Sequence, residues 1–315
     1  MNVRIVFMGT PDFGVPVLES LVQNQYELVA VYTRPDRPAG RGRHMAPSPV
    51  KQAALSHGIT VVEPETLRDE ARAAELARLQ PDVVVVAAFA YLLPEVMLRV
   101  PRHGCLNVHP SLLPRHRGPS PVAAALLSGD ERTGVSIMLM DAGLDTGPLL
   151  RQDSLAISDS DTTGSLASKL AELGGRLLVE TIDGWLAGSI AAKPQNEAEA
   201  TYSSKVGVSD GLIDWTQPAD VLCRRIRAYH PWPGCYTFWE GQRLKVHSAL
   251  SLALHGHGEP GRVVQLPGPA PVRIGVVTTR GVLGLGGLQL EGKREVGVEE
   301  FARGHRSFIG SLLGR

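Results

Sequence analysis

The stretch DVVVVAAF, residues 82–89, decides the fold. Its four consecutive valines leave no polar face, so a strand here must be covered on both sides. Helices on both faces of a sheet provide that cover, and the flanking sequence supplies them. Just before it, LRDEARAAELARLQ (67–80) has the apolar spacing of an amphipathic helix. Moving outward, VRIVFMG (3–9), ELVAVYT (27–33) and ITVVE (59–63) read as strands. FGVPVLESLVQN (13–24) and PVKQAALSHG (49–58) read as the helices between them. TGVSIMLM (133–140) is a later strand, and TTGSLASKLAELGGRLLVETIDGWLAG (162–188) a long helix. The alternation predicts an α/β domain with a parallel-rich sheet over 1–190. The polar segment 191–209 lacks apolar periodicity and reads as a linker. Residues 210–315 carry short strands with Gly/Pro turns, including CYTFWEGQRLKVHSA (235–249), a hairpin around Gly241. They predict a small C-terminal β-domain, a barrel.

The chain has 315 residues, enough for two domains, and no apolar run long enough to cross a membrane. Its first residues fit a buried strand better than a signal peptide. The three cysteines, Cys105, Cys223 and Cys235, are odd in number and widely spaced. They suggest free thiols in a cytoplasmic protein without a metal site. Net charge is zero but unevenly spread. Residues 211–315 hold 13 Lys/Arg against 8 Asp/Glu, and residues 33–51 hold Arg34, Arg37, Arg41, Arg43 and Lys51 against Asp36 alone. Two basic regions on a neutral chain fit either a local polyanion contact or a solvated surface.

The chemistry concentrates after the buried strands. In CLNVHPSLLPRHRGPSPV (105–122), Asn107 and His109 are two residues apart and point the same way on extended backbone. Sites in open α/β sheets form at the carboxyl ends of strands. An amide donor beside an imidazole suits a carbonyl under attack: Asn107 can donate to a developing oxyanion, and His109 can donate or exchange a proton. Pro110 and Pro114 stiffen the backbone beyond the pair, and Ser111-Leu112-Leu113-Pro114 offers backbone polar groups and apolar side chains to a flat ring. Asp145, in DAGLDTGPLL (141–150), is the expected partner of His109, holding its cation or relaying a proton. Asp-Thr-Gly also occurs in aspartic proteases, but they need two such loops and only one is present. Phe89, Tyr91 and Leu92 in AFAYLLPEVML (88–98) could wall a pocket or simply pack in the core. The turn MGTPDFG (8–14) lacks the G-x-G-x-x-G spacing, and Arg34 stands where an acidic residue would meet a ribose, which disfavours a dinucleotide enzyme. TRPDRPAGRGRHMAPSP (33–49) reads as a long loop, either a nucleic-acid contact that orders on binding or a surface insertion. In RRIRAYHPWPGCYTFW (224–239), Arg225 and its neighbours interleave with Trp232 and Trp239. This fits a nucleic-acid surface or a basic helix over a core tryptophan.

NVHPSLLPRHRG followed by DAGLDTGP resembles the signature of the folate-dependent formyltransferases. FMGTPDFGVPVLESL, RPDRPAGRG…PSPVK, ATYSSKV and IDW…RRIRAYHPWPG extend that resemblance over nearly the whole chain, toward the members that formylate methionine carried on initiator tRNA. The resemblance implies a Rossmann-like catalytic domain and a C-terminal barrel of the OB type lying along the tRNA. It implies 10-formyltetrahydrofolate as co-substrate, bound along Ser111–Pro114 beside Phe89, Tyr91 and Leu92, with no metal. Asn107, His109 and Asp145 match the catalytic trio, and Arg37, Arg41, Arg43, Lys51 and Arg225 match tRNA-binding segments. A monomer acting in translation initiation is expected. Members acting on glycinamide ribonucleotide or amino sugars share the trio; the C-terminal domain disfavours the first and the proline-arginine loop the second. His116 stands where an aromatic residue is frequent, and Pro119-Ser120 where two small residues are usual, so the rim of the pocket departs from the pattern.

Overall fold

The computed structural model describes residues 3–39, 44–254, 258–268 and 271–314. The chain divides into two compact units, Met1–Pro121, Arg132–Ile157 and Leu166–Ser203 forming the first, and Val122–Glu131, Ser158–Ser165 and Ser204–Arg315 the second.

In chain order the first unit begins β1 (Arg4–Gly9), α1 (Gly14–Gln23), β2 (Glu27–Tyr32), β3 (Arg37–Ala39), β4 (His44–Ala46), α2 (Pro49–Ser56) and β5 (Val61–Val62). It continues α3 (Glu70–Arg78), β6 (Val83–Ala87), α4 (Glu95–Leu98) and β7 (Cys105–His109). After α5 (Pro121–Ser128), nearly all of which belongs to the second unit, come β8 (Arg132–Leu139), β9 (Leu149–Ala156) and α6 (Thr163–Leu186). The main sheet runs β5-β2-β1-β6-β7-β8-β9. The first five strands are parallel, and β8 and β9 join antiparallel. Strand order turns between β1 and β6, which puts the crevice for a ligand at the carboxyl ends of the central strands.

The valines of β6 sit in the middle and are almost wholly shielded from solvent. Burying one such side chain contributes roughly 1.5–3 kcal/mol. One face of the sheet, through Val6, Met8, Val84, Val86 and Cys105, packs against Leu76 of α3 and Met97 of α4. On the other face, Gly174 and Gly175 of α6 allow close approach. A Cβ at Gly174 would lie 2.7 Å from Val108 Cγ1, and one at Gly175 would lie 2.2 Å from Ser20 Oγ and 3.0 Å from the Pro16 carbonyl of α1.

Two departures from the sequence reading concern strands. The strand β9 lies where only a loop after Asp141 is read. It is an exposed, polar edge strand, without the apolar pattern that reveals the others. The segment 33–49 is not wholly irregular: β3 and β4 form a short hairpin, with Arg37 opposite Ala46. Its feet are joined by Thr33 Oγ1 and Ser48 Oγ at 2.7 Å. Ser48 also caps α2, accepting from the Lys51 amide at 3.0 Å, with Pro49 beginning the helix.

The second unit contains α7 (Ala219–Ala228), β10 (Cys235–Trp239), β11 (Gln242–Val246), β12 (Ala249–Leu252), β13 (Val263–Gln265), β14 (Ile274–Val277), β15 (Val282–Leu285), β16 (Gly287–Leu290), β17 (Val296–Gly297) and α8 (Val298–Gly304). They form two antiparallel sheets, β10-β11-β16-β17 and β12-β15-β14-β13. The sheets are continuous at one corner: β11 runs on into β12 and β15 into β16, bridged by His247 N to Gly287 O and Gly286 N to Ser248 O. The expected hairpin turns at Glu240-Gly241, both with positive φ, as a two-residue turn between right-twisted strands requires. Trp239 is core, edge-on to Phe301 and Phe308. Trp232 is exposed. Along β10 and β11 the residues that alternate with the core are Tyr236, Phe238, Arg243 and Lys245, with the Arg243 guanidinium 3.6 Å from the Tyr236 ring centre.

We predict that Gly175→Ala lowers stability by about 1–3 kcal/mol, because Ser20 can turn aside but the Pro16 carbonyl cannot. Chemical denaturation of the full chain measures this, and an unchanged midpoint would refute the close α1–α6 contact.

Candidate active site

Strand β7 presents two different faces. Val108 points to α6, while Cys105, Asn107 and His109 point the other way. Burial changes along that second row. Cys105 lies in the core, where desolvation pushes its thiol up to about 12 and leaves it inert. Asn107 is half-buried, and His109 is only 4 % exposed.

The loop after β8 brings Asp145 to this row, as its place at the next strand end leads one to expect. Asp145 Oδ1 lies 3.5 Å from Asn107 Nδ2 and 3.7 Å from His109 Nδ1. The first is at the limit of a hydrogen bond and the second is an electrostatic contact. Asp145 Oδ2 accepts a 2.7 Å hydrogen bond from the Gly118 amide. Gly147 is obligatory in the same turn, since a Cβ there would lie 1.8 Å from the Leu139 carbonyl.

The protonation of His109 is set by its partners. Nε2 lies 3.1 Å from the main-chain carbonyl of His116. A carbonyl only accepts, so Nε2 carries a hydrogen. Burial pulls the His109 pKa below its ordinary value, and the opposing pull of Asp145 does not restore it. At neutral pH the ring is therefore neutral, with Nδ1 on the side of Asp145. The departure at His116 leaves this arrangement intact, because His109 uses its main-chain carbonyl.

The reading of Ser111–Pro114 is corrected in one respect. Its backbone polar groups are mostly engaged within the protein. Ser111 is fully buried and its Oγ donates to the Arg115 carbonyl at 2.6 Å. Ser136 Oγ donates to the Ser111 carbonyl at 2.7 Å and accepts from the Leu113 amide at 3.0 Å. Gln152 Nε2 donates to the Leu113 carbonyl at 2.8 Å, and the Thr201 amide to the Pro114 carbonyl at 3.2 Å. Leu113 and Pro114 are buried, so half-buried Leu112 is the side chain this segment offers. On the neighbouring strand end, Phe89 and Tyr91 meet edge-to-face at 5.4 Å and pack on the core, while Leu92 is 83 % exposed. Arg34 lies over the Tyr91 ring at 4.9 Å.

The basic candidates divide. Arg37 is exposed on β3. Arg41 and Arg43 lie outside the described residues. Lys51 is not a free cation: its Nζ lies 2.8 Å from both Asp36 and Glu63, which raise its pKa by hydrogen bonding. Arg225 is likewise committed, donating to the Asp210 carbonyl at 2.5 Å with its guanidinium 5.5 Å from the Tyr229 ring centre. Among the described residues no group of three or more His, Cys, Asp or Glu could hold a metal ion. No helix among them is long and apolar enough to cross a membrane.

Residues 1–182 match the family described as formyl transferase, and residues 205–306 match the formyl transferase C-terminal domain. The chain belongs to the formyl transferase family. A methionyl-tRNA formyltransferase of Roseiflexus sp. is 47 % identical over 100 % of this chain and 96 % of its own length. Those of Marinobacter nauticus and Bacillus pumilus are each 44 % identical, over 97 % and 99 % of this chain and 97 % and 98 % of their own. Within the family the chain stands with the methionyl-tRNA formyltransferases. Solved structures share the fold at low identity. HypX from Aquifex aeolicus, in complex with tetrahydrofolic acid, superposes at TM-score 0.65 with 17 % identity over 96 % of this chain and 47 % of that one. The N-formyltransferase of Helicobacter canadensis, with folinic acid and dTDP-3-aminofucose, gives TM-score 0.65 and 16 % identity over 93 % and 100 %.

We predict that the His109 ring titrates below 6.5 in the folded protein, its ordinary value, and that Asp145→Asn moves the midpoint lower still. The sign comes from the causes: burial lowers, Asp145 raises, so losing the Asp145 charge leaves burial less opposed. NMR of the ring protons measures both, and an upward move in Asp145→Asn would contradict the arrangement.

Proposed function

We propose that the chain transfers the formyl group of 10-formyltetrahydrofolate to the α-amine of methionine carried on initiator tRNA. The observation that carries this reading is the convergence of Asn107, His109 and Asp145 at the carboxyl end of β7, in a chain of this family. The folate supplies an activated formyl group. Leu112, the Phe89–Tyr91 pair and exposed Leu92 give the apolar surface its ring requires. Asn107 donates from Nδ2 to the formyl oxygen as negative charge builds there. The methionyl amine must lose a proton as its nitrogen bonds to the formyl carbon. Neutral His109 takes it at Nδ1, and the resulting cation lies between the Asp145 carboxyl and the His116 carbonyl. The same proton then goes to the departing folate nitrogen as its bond to the formyl carbon breaks, which returns His109 to its starting state. Here Asp145 holds the cation and needs no proton itself.

Nucleic-acid contact is assigned to basic side chains that no hydrogen bond or ion pair holds among the described residues. Arg37 on the β3–β4 hairpin is one. In the second unit, Arg243 and Lys245 beside Tyr236 and Phe238 combine cationic and aromatic groups, and they replace Arg225 in this role. One chain carries the whole trio, which supports action as a monomer. Three unpaired thiols support a reducing, cytoplasmic setting.

We predict that Asn107→Ala, His109→Ala and Asp145→Ala each lower formyl transfer by about 100-fold or more while tetrahydrofolate still binds. Wild-type turnover in all three would refute the site. Arg37→Ala and Arg243→Ala should raise KM for Met-tRNA and leave KM for the folate unchanged; equal effects on both substrates would remove these residues from the tRNA contact.

A further inference from the structure

We infer that Gln195 and Arg117 are positioning residues for formyl transfer, holding Asp145 where Asn107 and His109 can use it. The inference rests on the role of the trio proposed above. The backbone at Asp145 is strained: its φ is +54°, in the left-handed region that residues other than glycine seldom occupy. Such a conformation persists only where its surroundings hold it.

One side chain holds the turn at two points. Gln195 Nε2 donates to the Asp145 carbonyl at 2.8 Å and to the Gly147 carbonyl at 2.7 Å. Both amide hydrogens are thus committed to the turn that carries the carboxyl group. The amide is oriented from behind, because its Oε1 accepts from Arg117 Nε at 3.1 Å and Nη2 at 2.9 Å. A guanidinium only donates, so the oxygen of Gln195 must face it and the NH2 must face the loop.

Arg117 is itself fixed. It is fully buried, and Glu197 grips it with both carboxylate oxygens at 2.7 and 2.9 Å. That contact holds the Glu197 carboxyl below the usual range. The Arg117 main chain is clamped as well, donating to the Thr201 carbonyl at 2.9 Å and accepting from the Ser203 amide at 2.7 Å. The next residue, Gly118, donates its amide to the Asp145 carboxylate. Arg117 therefore fixes Asp145 twice, at the backbone through Gln195 and at the side chain through Gly118. Residues 193–203, read as linker in the sequence, supply this strap and belong to the first unit.

The test is a cycle in the full-length enzyme: Gln195→Ala, Asp145→Ala and the double variant. Each is assayed for kcat, for KM of both substrates and for thermal midpoint. Gln195→Ala is expected to lower kcat by roughly 10-fold or more with both KM values within about 2-fold, and to change kcat by less than about 2-fold in the Asp145→Ala background. Its His109 titration midpoint should shift downward, toward that of Asp145→Ala, because Asp145 is no longer held beside the ring. An equal loss of kcat in both backgrounds, or an unmoved His109 midpoint, would overturn the positioning role. Full turnover in Asp145→Ala would instead overturn the functional reading beneath it. If Gln195→Ala does not fold, Glu197→Gln keeps the volume while loosening the grip on Arg117, and the same non-additive pattern is expected at smaller amplitude; additivity there refutes the proposal equally.

Discussion

A buried histidine, kept neutral by burial and bounded by a carbonyl on one nitrogen and a carboxylate on the other, is the constraint around which the proposed mechanism is built. Removing an imidazolium from water costs several kcal/mol unless partners are already in place. His109 has two such partners. The His116 carbonyl takes the Nε2 hydrogen and fixes the tautomer, and Asp145 faces the other nitrogen. Both lie close to where a positive charge would appear, so little reorganisation is needed when a proton arrives. The other face of β7 packs against α6 through Val108.

The Asp145 loop reverses the ordinary relation between loop and scaffold. Loops at the ends of strands are usually the mobile parts of an α/β domain. Here the loop is held by a second segment, 193–203, whose polar residues are bonded to groups 48 to 86 positions away in sequence. The strap also closes over the Ser111–Pro114 segment through Thr201. The site is thus built from three pieces of chain that are distant in sequence, each limiting the freedom of the others.

That construction explains what the sequence disclosed. The parallel core was legible because Val83–Val86 carry no polar face, and the Asn107–His109 pair because two-residue spacing on a strand is a strict geometric statement. Asp145 was legible as a carboxylate in the turn at the next strand end, which it shares with Asp141. The strand β9 was not, since an exposed edge strand leaves no apolar alternation. The strap was misread for a deeper reason: Gln195, Glu197 and Thr201 look like linker residues until their partners are known, and those partners are set by the fold. Lys51 and Arg225 show the same limit from the other side. Positive charge is visible in sequence, but whether Asp36 and Glu63 or the Asp210 carbonyl already claims it is not.

The most direct measurement is transfer of labelled formyl from 10-formyltetrahydrofolate to methionine charged on initiator tRNA, with elongator Met-tRNA and small amines assayed alongside. Rapid transfer to the initiator and little to the others is expected, because the proposed function assigns the chemistry to β7 and the Asp145 loop and selection of the tRNA to surfaces outside them. Transfer to a small amine with none to charged tRNA would contradict the proposed function, keeping the fold and the trio but assigning them another acceptor.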